Sequence, residues 1–209
     1  MAEDHLEKII EKYRNKEDAL TQLLLEIKKE FNGIPKQAIQ KISKQLNIPV
    51  AEIYRAIDNI VIEQEFLKGT KDENLGICSD FFSAKSGLNG QDGGIVTALL
   101  IAGLRKKLFD AVIVVQRKDG YNAEAVVAED ADEVMTTRGT KYFKVSIIPK
   151  LRELINQGKK KIAVVCTPCE VRAARKMQQT LKQNSPNVKI TIIGLFCLEA
   201  FNRAKLKEE

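Results

Sequence analysis

Lys161-Ile162-Ala163-Val164-Val165-Cys166-Thr167-Pro168-Cys169 is the stretch that decides the fold. Its apolar run has the length of a strand, it breaks at Pro168, and from Glu170 to Leu181 the pattern becomes a basic helix carrying Arg172, Arg175 and Lys176. A buried strand that passes directly into a helix is the building unit of a parallel sheet. Ile190-Thr191-Ile192-Ile193 reads as a second buried strand and ends in Gly194-Leu195-Phe196-Cys197. Upstream, Phe109-Asp110-Ala111-Val112-Ile113-Val114-Val115 reads as another, paired with Ala123-Glu124-Ala125-Val126-Val127-Ala128 across Asp119-Gly120-Tyr121-Asn122. A short acidic helix follows from Asp130 to Met135. The pattern predicts an α/β domain with a mixed, largely parallel sheet. Ligands of such sheets gather at the carboxyl ends of the strands, so Cys169 and Cys197 fall at an edge suited to a metal cluster or redox cofactor.

Towards the N-terminus the periodicity changes. Leu20, Leu23, Leu24, Leu25, Ile27 and Phe31 recur at helical spacing, and Asn32-Gly33-Ile34-Pro35 stops one helix and starts the next. Ala38, Ile39, Ile42 and Leu46 mark a second helix. A third begins after Asn47-Ile48-Pro49 and is expected to turn Ile53, Tyr54 and Ile57 inward. The predicted organisation is an all-helical bundle over residues 1–68, a polar linker over 69–75, and the α/β domain over 76–209. Residues 40–57 also have the spacing of a helix-turn-helix, whose second helix would enter a DNA major groove. The same spacing occurs in many helical hairpins.

The chain has 209 residues, 44% of them hydrophobic and 30% charged, enough for one good core and a small appendage. No apolar run is long enough to cross a bilayer, and the N-terminus lacks the pattern of a secretory signal. A soluble, cytoplasmic protein is expected, and its four cysteines are expected as thiols, ligands or catalytic groups. A net charge of +6 and an isoelectric point near 9.0 suit an anionic partner.

Three local constellations carry chemistry. Gln91-Asp92-Gly93-Gly94-Ile95-Val96-Thr97 is a glycine-rich turn leading into an apolar helix. Its glycines let a ligand approach the backbone, the helix start offers N–H groups to phosphate, Asp92 is placed to cap it and Thr97 adds a hydroxyl. A plain tight turn has the same composition. Gly139-Thr140-Lys141-Tyr142 offers a hydroxyl, a cation and a phenol that together suit an anionic flavin or deazaflavin, or an exposed loop. Cys166-Thr167-Pro168-Cys169 suits either thiol–disulfide exchange or a single ligand at Cys169 with Cys166 packed beneath it.

Taken in order, Ser83-Ala84-Lys85-Ser86, Gln91 to Thr97, Gly139 to Tyr142, Thr167-Pro168-Cys169 with Arg175-Lys176-Met177-Gln178, and Gly194 to Phe201 resemble the N-terminal part of the coenzyme F420 hydrogenase and dehydrogenase beta-subunit family, over about residues 82–201. That resemblance implies a subunit moving hydride and electrons between reduced F420, FAD and iron–sulfur centres. It implies cofactor binding by Gln91, Asp92, Gly93, Gly94, Thr97, Gly139, Thr140, Lys141, Tyr142, Thr167 and Pro168, with Cys169 and Cys197 as ligands of a 4Fe-4S cluster and no residue acting as a covalent catalyst. The family's next segment brings a Cys-x-x-Cys pair that does not occur before Glu209. The cluster is therefore expected to be incomplete in this chain, and the C-terminal half of the family to be missing from it.

Leu23 to Pro35, continuing through Leu46-Asn47-Ile48-Pro49 to Tyr54, resembles the N-terminal helical segment of the 24 kDa NADH dehydrogenase subunit. No thioredoxin-like cysteine pattern follows it. What that second resemblance implies is a docking module for another subunit of a redox complex, of hydrogenase, formate dehydrogenase or heterodisulfide reductase type. The alternatives are a non-catalytic assembly subunit and, through the bundle, a nucleic-acid-binding protein.

Overall fold

The computed structural model describes residues 2–14, 16, 19–72, 76–88, 94–119 and 122–197. The chain divides into two compact units, residues 1–81 and 82–209.

The first unit holds four helices, α1 (Ala2–Tyr13), α2 (Leu20–Glu30), α3 (Lys36–Leu46) and α4 (Val50–Phe66). Each supplies one apolar stripe to a shared core: Leu6, Ile9 and Ile10, then Leu23, Leu24 and Ile27, then Ala38, Ile39 and Ile42, then Ile53 and Ile60. Burying each of the larger side chains is worth about 1.5–3 kcal/mol relative to leaving it in water. Helix α1 joins the three helices expected from residue 19 onward. Asn32 and Asn47 take left-handed backbone angles that end α2 and α3, and Pro35 and Pro49 sit just ahead of α3 and α4 with extended backbones. Tyr54, expected inward, is 46% exposed, because the face of α4 that packs is the one through Ile53 and Ile60.

Residues expected as a linker hold β1 (Thr70–Asp72), which pairs antiparallel with β2 (Gly76–Cys78). The two strands of this hairpin have three residues each, too short for alternation to reveal them.

The second unit runs α5 (Ile95–Arg105), β3 (Ala111–Arg117), β4 (Ala123–Ala128), α6 (Ala131–Thr136), α7 (Ile148–Asn156), β5 (Lys161–Cys166), α8 (Pro168–Asn184) and β6 (Lys189–Gly194). The sheet order is β4-β3-β5-β6, with β3, β5 and β6 parallel and β4 antiparallel to β3. This is the α/β fold with a mixed, largely parallel sheet. Alternate residues face opposite layers. Ala111, Ile113, Ile162, Val164 and Cys166 pack with Leu151, Leu154 and Ala174 of α7 and α8. Val112, Val114 and Ala163 pack with Leu100, Ile101 and Val134 of α5 and α6. The sheet is thus covered on both faces, which explains the nearly continuous apolar strands.

Candidate functional site at the carboxyl edge

Helices α5 and α7 lead into β3 and β5 and α8 leaves β5, so these three run from the carboxyl ends of the parallel strands towards the amino edge, whereas α6 follows the antiparallel β4 and starts at the amino edge. The strand end at Cys166 is the best defined point of this edge. Cys166 is 5% exposed, and burial, reinforced by the nearby Glu170 carboxylate, pushes its thiol up to about 12. It stays protonated and is a core residue. Thr167 is the N-cap of α8, Pro168 fills the first helical position, and Cys169 follows it, exposed, with its Sγ 3.4 Å from the Thr167 Oγ1. The Leu195 N–H donates to the Cys166 carbonyl at 2.9 Å, which holds the segment leading to the exposed Cys197 beside the end of β5. The structure thus delivers Cys169 and Cys197 from neighbouring strand ends, with Cys166 beneath.

Glu170 joins this edge to the preceding helix: its carboxylate accepts the Ile147 N–H at 3.0 Å and so caps α7 from α8. Further along α8, the Arg175 guanidinium donates to Gln178 at 2.8 Å, and Gln178 donates to the Ile190 carbonyl at 2.7 Å, bracing the helix on β6. Burial lowers the Arg175 pKa, and the adjacent Cys166 opposes that shift.

The start of α5 is built on Gly94, whose φ of +66° is left-handed. A Cβ at Gly94 would lie 2.7 Å from Ser86 Oγ and 3.0 Å from the Leu88 carbonyl oxygen, so the position excludes a side chain on two counts. Gly94 is itself the N-cap and no side chain caps the first-turn amides among the described residues. Asp92, expected as the cap, is two residues upstream of the N-cap; it lies outside the described residues with Gln91 and Gly93. Thr97 is half-buried in the first turn.

Gly139, Thr140, Lys141 and Tyr142 form the loop between α6 and α7; Gly139 has a left-handed φ of +89°, Thr140 is exposed and Tyr142 is 51% exposed. Lys141 is half-buried and its ammonium donates to the carbonyls of Thr137 and, at 3.2 Å, Arg138. It closes the end of α6. Burial lowers its pKa, and the positive charge of Arg117 at the end of β3 lowers it further. That coupling places Lys141 near the carboxyl end of β3. The roles of Glu170 and Lys141 depend on residues in other elements, so no local motif signals them.

Residues 82–152 match the family model "Coenzyme F420 hydrogenase/dehydrogenase, beta subunit N-term", and residues 159–209 match the model for the carboxy-terminal part of the same beta subunit. The second unit belongs to the coenzyme F420 hydrogenase/dehydrogenase beta-subunit family. Family likeness therefore reaches beyond residue 201 and enters the carboxy-terminal model at 159. One of the subunits of an F420H2 dehydrogenase from Methanosarcina mazei is 36% identical over 124 residues, covering 58% of this chain and 34% of that protein. A coenzyme F420-dependent sulfite reductase from Methanocaldococcus jannaschii is 34% identical over 61% of this chain and 22% of its own length. A chain of the xenon-derivatised F420-reducing NiFe hydrogenase complex from Methanosarcina barkeri superposes with a TM-score of 0.52 at 32% identity, covering 57% of this chain and 42% of that one. This beta-subunit-family chain spans less than half the length of each of these relatives.

Residues 6–59 match a model for a thioredoxin-like 2Fe-2S ferredoxin. That span is the helical bundle and contains no cysteine, so the bundle itself supplies no thiolate ligand.

Proposed function

We propose that this chain is a redox subunit of an F420-dependent oxidoreductase, that its second unit holds FAD and coenzyme F420 at the carboxyl edge of the sheet, and that partner subunits complete the electron path. The observation that carries the reading is the Gly94 cradle: a left-handed glycine with no room for a Cβ at the start of α5, in the unit that matches the beta-subunit models. A helix start suits an anionic tail, and the exposed Thr140 and half-exposed Tyr142 suit the polar rim of a ring system. Bound together, the two cofactors supply hydride exchange between deazaflavin and flavin and electron release in single steps. The protein's share is to bind, to orient and to keep water out. Lys141 sets the loop by closing α6, and Glu170 sets the start of α7 against the helix that bears Cys169.

A 4Fe-4S cluster asks for more than this chain's described residues offer. Cys169 and Cys197 present two exposed thiols, and no group of three or more potential ligands gathers among the described residues. The two cysteines serve in this reading as half of a ligand set.

The bundle is the docking module of the same proposal. Tyr54 lines a groove of about 350 Å³ with Ile34, Ile39, Ile57 and Val61, flanked by Lys28 and Lys36. Residues 1–81 carry 12 Lys and Arg against 15 Asp and Glu, which is no electrostatic footprint for DNA.

The test is anaerobic purification followed by titration with FAD, read by quenching of flavin fluorescence, and then by F420-linked dye reduction with and without an added partner subunit. Saturable FAD binding that weakens in Gly94→Ala supports the reading. A folded chain that takes up neither FAD nor F420 overturns it.

A further inference from the structure

The edge of the sheet opposite the cofactor site is a cluster of cations built on a fixed backbone. The Asp110 N–H donates to the Lys161 carbonyl at 2.7 Å, Asp110 Oδ2 accepts the N–H groups of Lys160 and Lys161 at 3.0 and 2.8 Å, and the Lys189 N–H donates to the Lys160 carbonyl at 2.6 Å. The Lys161 ammonium reaches the Lys107 carbonyl at 3.2 Å. These bonds bring Lys107, Lys160, Lys161 and Lys189 together, with Arg105, the last residue of α5, and its C-cap Lys106 just before Lys107. Among the described residues, the side chains of Arg105, Lys106, Lys107, Lys160 and Lys189 are exposed and make no ion pair. Asp110 stays ionised, because the Lys161 amide and then the Lys160 amide hold its carboxyl pKa below the usual range, and its single negative charge faces six cations.

Two features of this edge work against the stability of the isolated chain. Lys107 has a φ of +54° in the turn that ends α5, where glycine is the favoured residue and a lysine costs about 1 kcal/mol. Among the described residues, the other non-glycine residues with such angles are asparagines, which tolerate them. Lys161 and Lys189 stand opposite each other in the β5–β6 register, and like charges in that position repel. Cations here do offset the dipoles of helices that end at this edge, but that need would be met by cations outside the strained turn and the paired register.

We propose that the amino edge of the sheet is a docking surface for an acidic protein segment. Residues 82–209 hold 22 of the chain's 34 Lys and Arg but 13 of its 28 Asp and Glu, so the unit as a whole draws anions, and this edge sets six of its cations beside Asp110 and the Lys159–Glu129 pair. The left-handed turn at Lys107 leaves Leu108 59% exposed amid the cations. An apolar anchor ringed by charge is the pattern of a protein interface. Nucleic acid is disfavoured, since Arg105 is the one guanidinium in the cluster, where phosphate recognition leans on bidentate arginine, and no exposed aromatic ring offers stacking there.

The test uses the full chain and a fluorescent peptide of glutamate interspersed with leucine, followed by anisotropy. Binding is expected to fall with added salt, and to weaken about tenfold in Lys106→Glu/Lys160→Glu, the loss expected when two contacts turn repulsive. A control with the same change in net charge, Lys29→Glu/Arg152→Glu, should bind as the wild type does. Lys107→Gly is the decisive variant: it should melt at a higher temperature, because the turn is relieved, and bind about threefold more weakly, because a cation is gone. Equal binding by wild type and Lys106→Glu/Lys160→Glu, or unchanged binding by Lys107→Gly, overturns the proposal. So does tighter binding of a DNA duplex with the same dependence on these residues, or salt-sensitive self-association that the Lys106→Glu/Lys160→Glu pair abolishes.

Discussion

The Leu195 N–H donates to the Cys166 carbonyl at 2.9 Å, so the segment bearing Cys197 is fastened to the strand whose end carries Cys169. The fastening is made by backbone, and both sulfurs are exposed. Cys169→Ser and Cys197→Ser are therefore expected to unfold in urea within about 0.5 kcal/mol of the wild type. A larger loss at either position would mean that the sulfur holds the edge together.

Cys166 behaves oppositely. Its thiol titrates at about 12 in the folded chain against an ordinary 9.0, so the unfolded chain ionises first as pH rises. Its contribution to stability is present below about pH 9 and is lost as pH rises towards about 12. Urea midpoints across that range should fall more steeply for the wild type than for Cys166→Ala, with Cys166→Ala less stable at pH 7 because a buried sulfur is replaced by a small void.

Gly94 and Gly139 both have left-handed backbones, but only Gly94 is crowded; a Cβ on Gly139 meets nothing within 4 Å. Gly139→Ala should cost about 1–2 kcal/mol, the backbone strain alone. Gly94→Ala should cost clearly more, since Ser86 or Leu88 must also move. Thermal melts of the two variants, run together, check the order.

Lys141 closes α6 by donating to two carbonyls from a half-buried position. Lys141→Met keeps most of the apolar stem and removes both bonds. A loss of about 1–2 kcal/mol in urea unfolding is expected, reduced from the full value of charged hydrogen bonds by partial solvation. The loop from Gly139 to Tyr142 should also become more sensitive to proteolysis.

Asp110 ties β3 to the start of β5 through the amides of Lys160 and Lys161. Its carboxyl pKa is lowered chiefly by the Lys161 N–H, so its contribution is present above the ordinary 3.8 and fades as pH falls through the lower folded value. Acid titration of Asp110→Ala should show a shallower loss of stability below about pH 4 than that of the wild type.

The strands of the second unit were legible because each is a short apolar run bounded by glycine, proline or charge, and the helices packed on both faces of the sheet leave little room for polar residues. Helix α7 was harder to see: Leu151 and Leu154 are spaced for one face, but Pro149 and the loop before it hide the start, and the cap comes from Glu170 on another helix. Helix α1 shows its stripe at Leu6, Ile9 and Ile10, and was obscured by the many charges between them. At the candidate site, the helix start at Gly94 and the exposed cysteines that follow β5 and β6 are features of local pattern. The cap made by Lys141, its coupling to Arg117 and the crowding around Gly94 arise between separate segments, which local pattern does not encode.

A buried thiol beneath two exposed ones also gives this molecule an internal gauge. Cys169 and Cys197 meet a small alkylating reagent directly, whereas Cys166 meets it only when β5 parts from α7 and α8. The rate at which Cys166 becomes labelled then reports how often the sheet opens in water, and any cofactor that clasps the carboxyl edge should slow that rate without touching the sulfur itself.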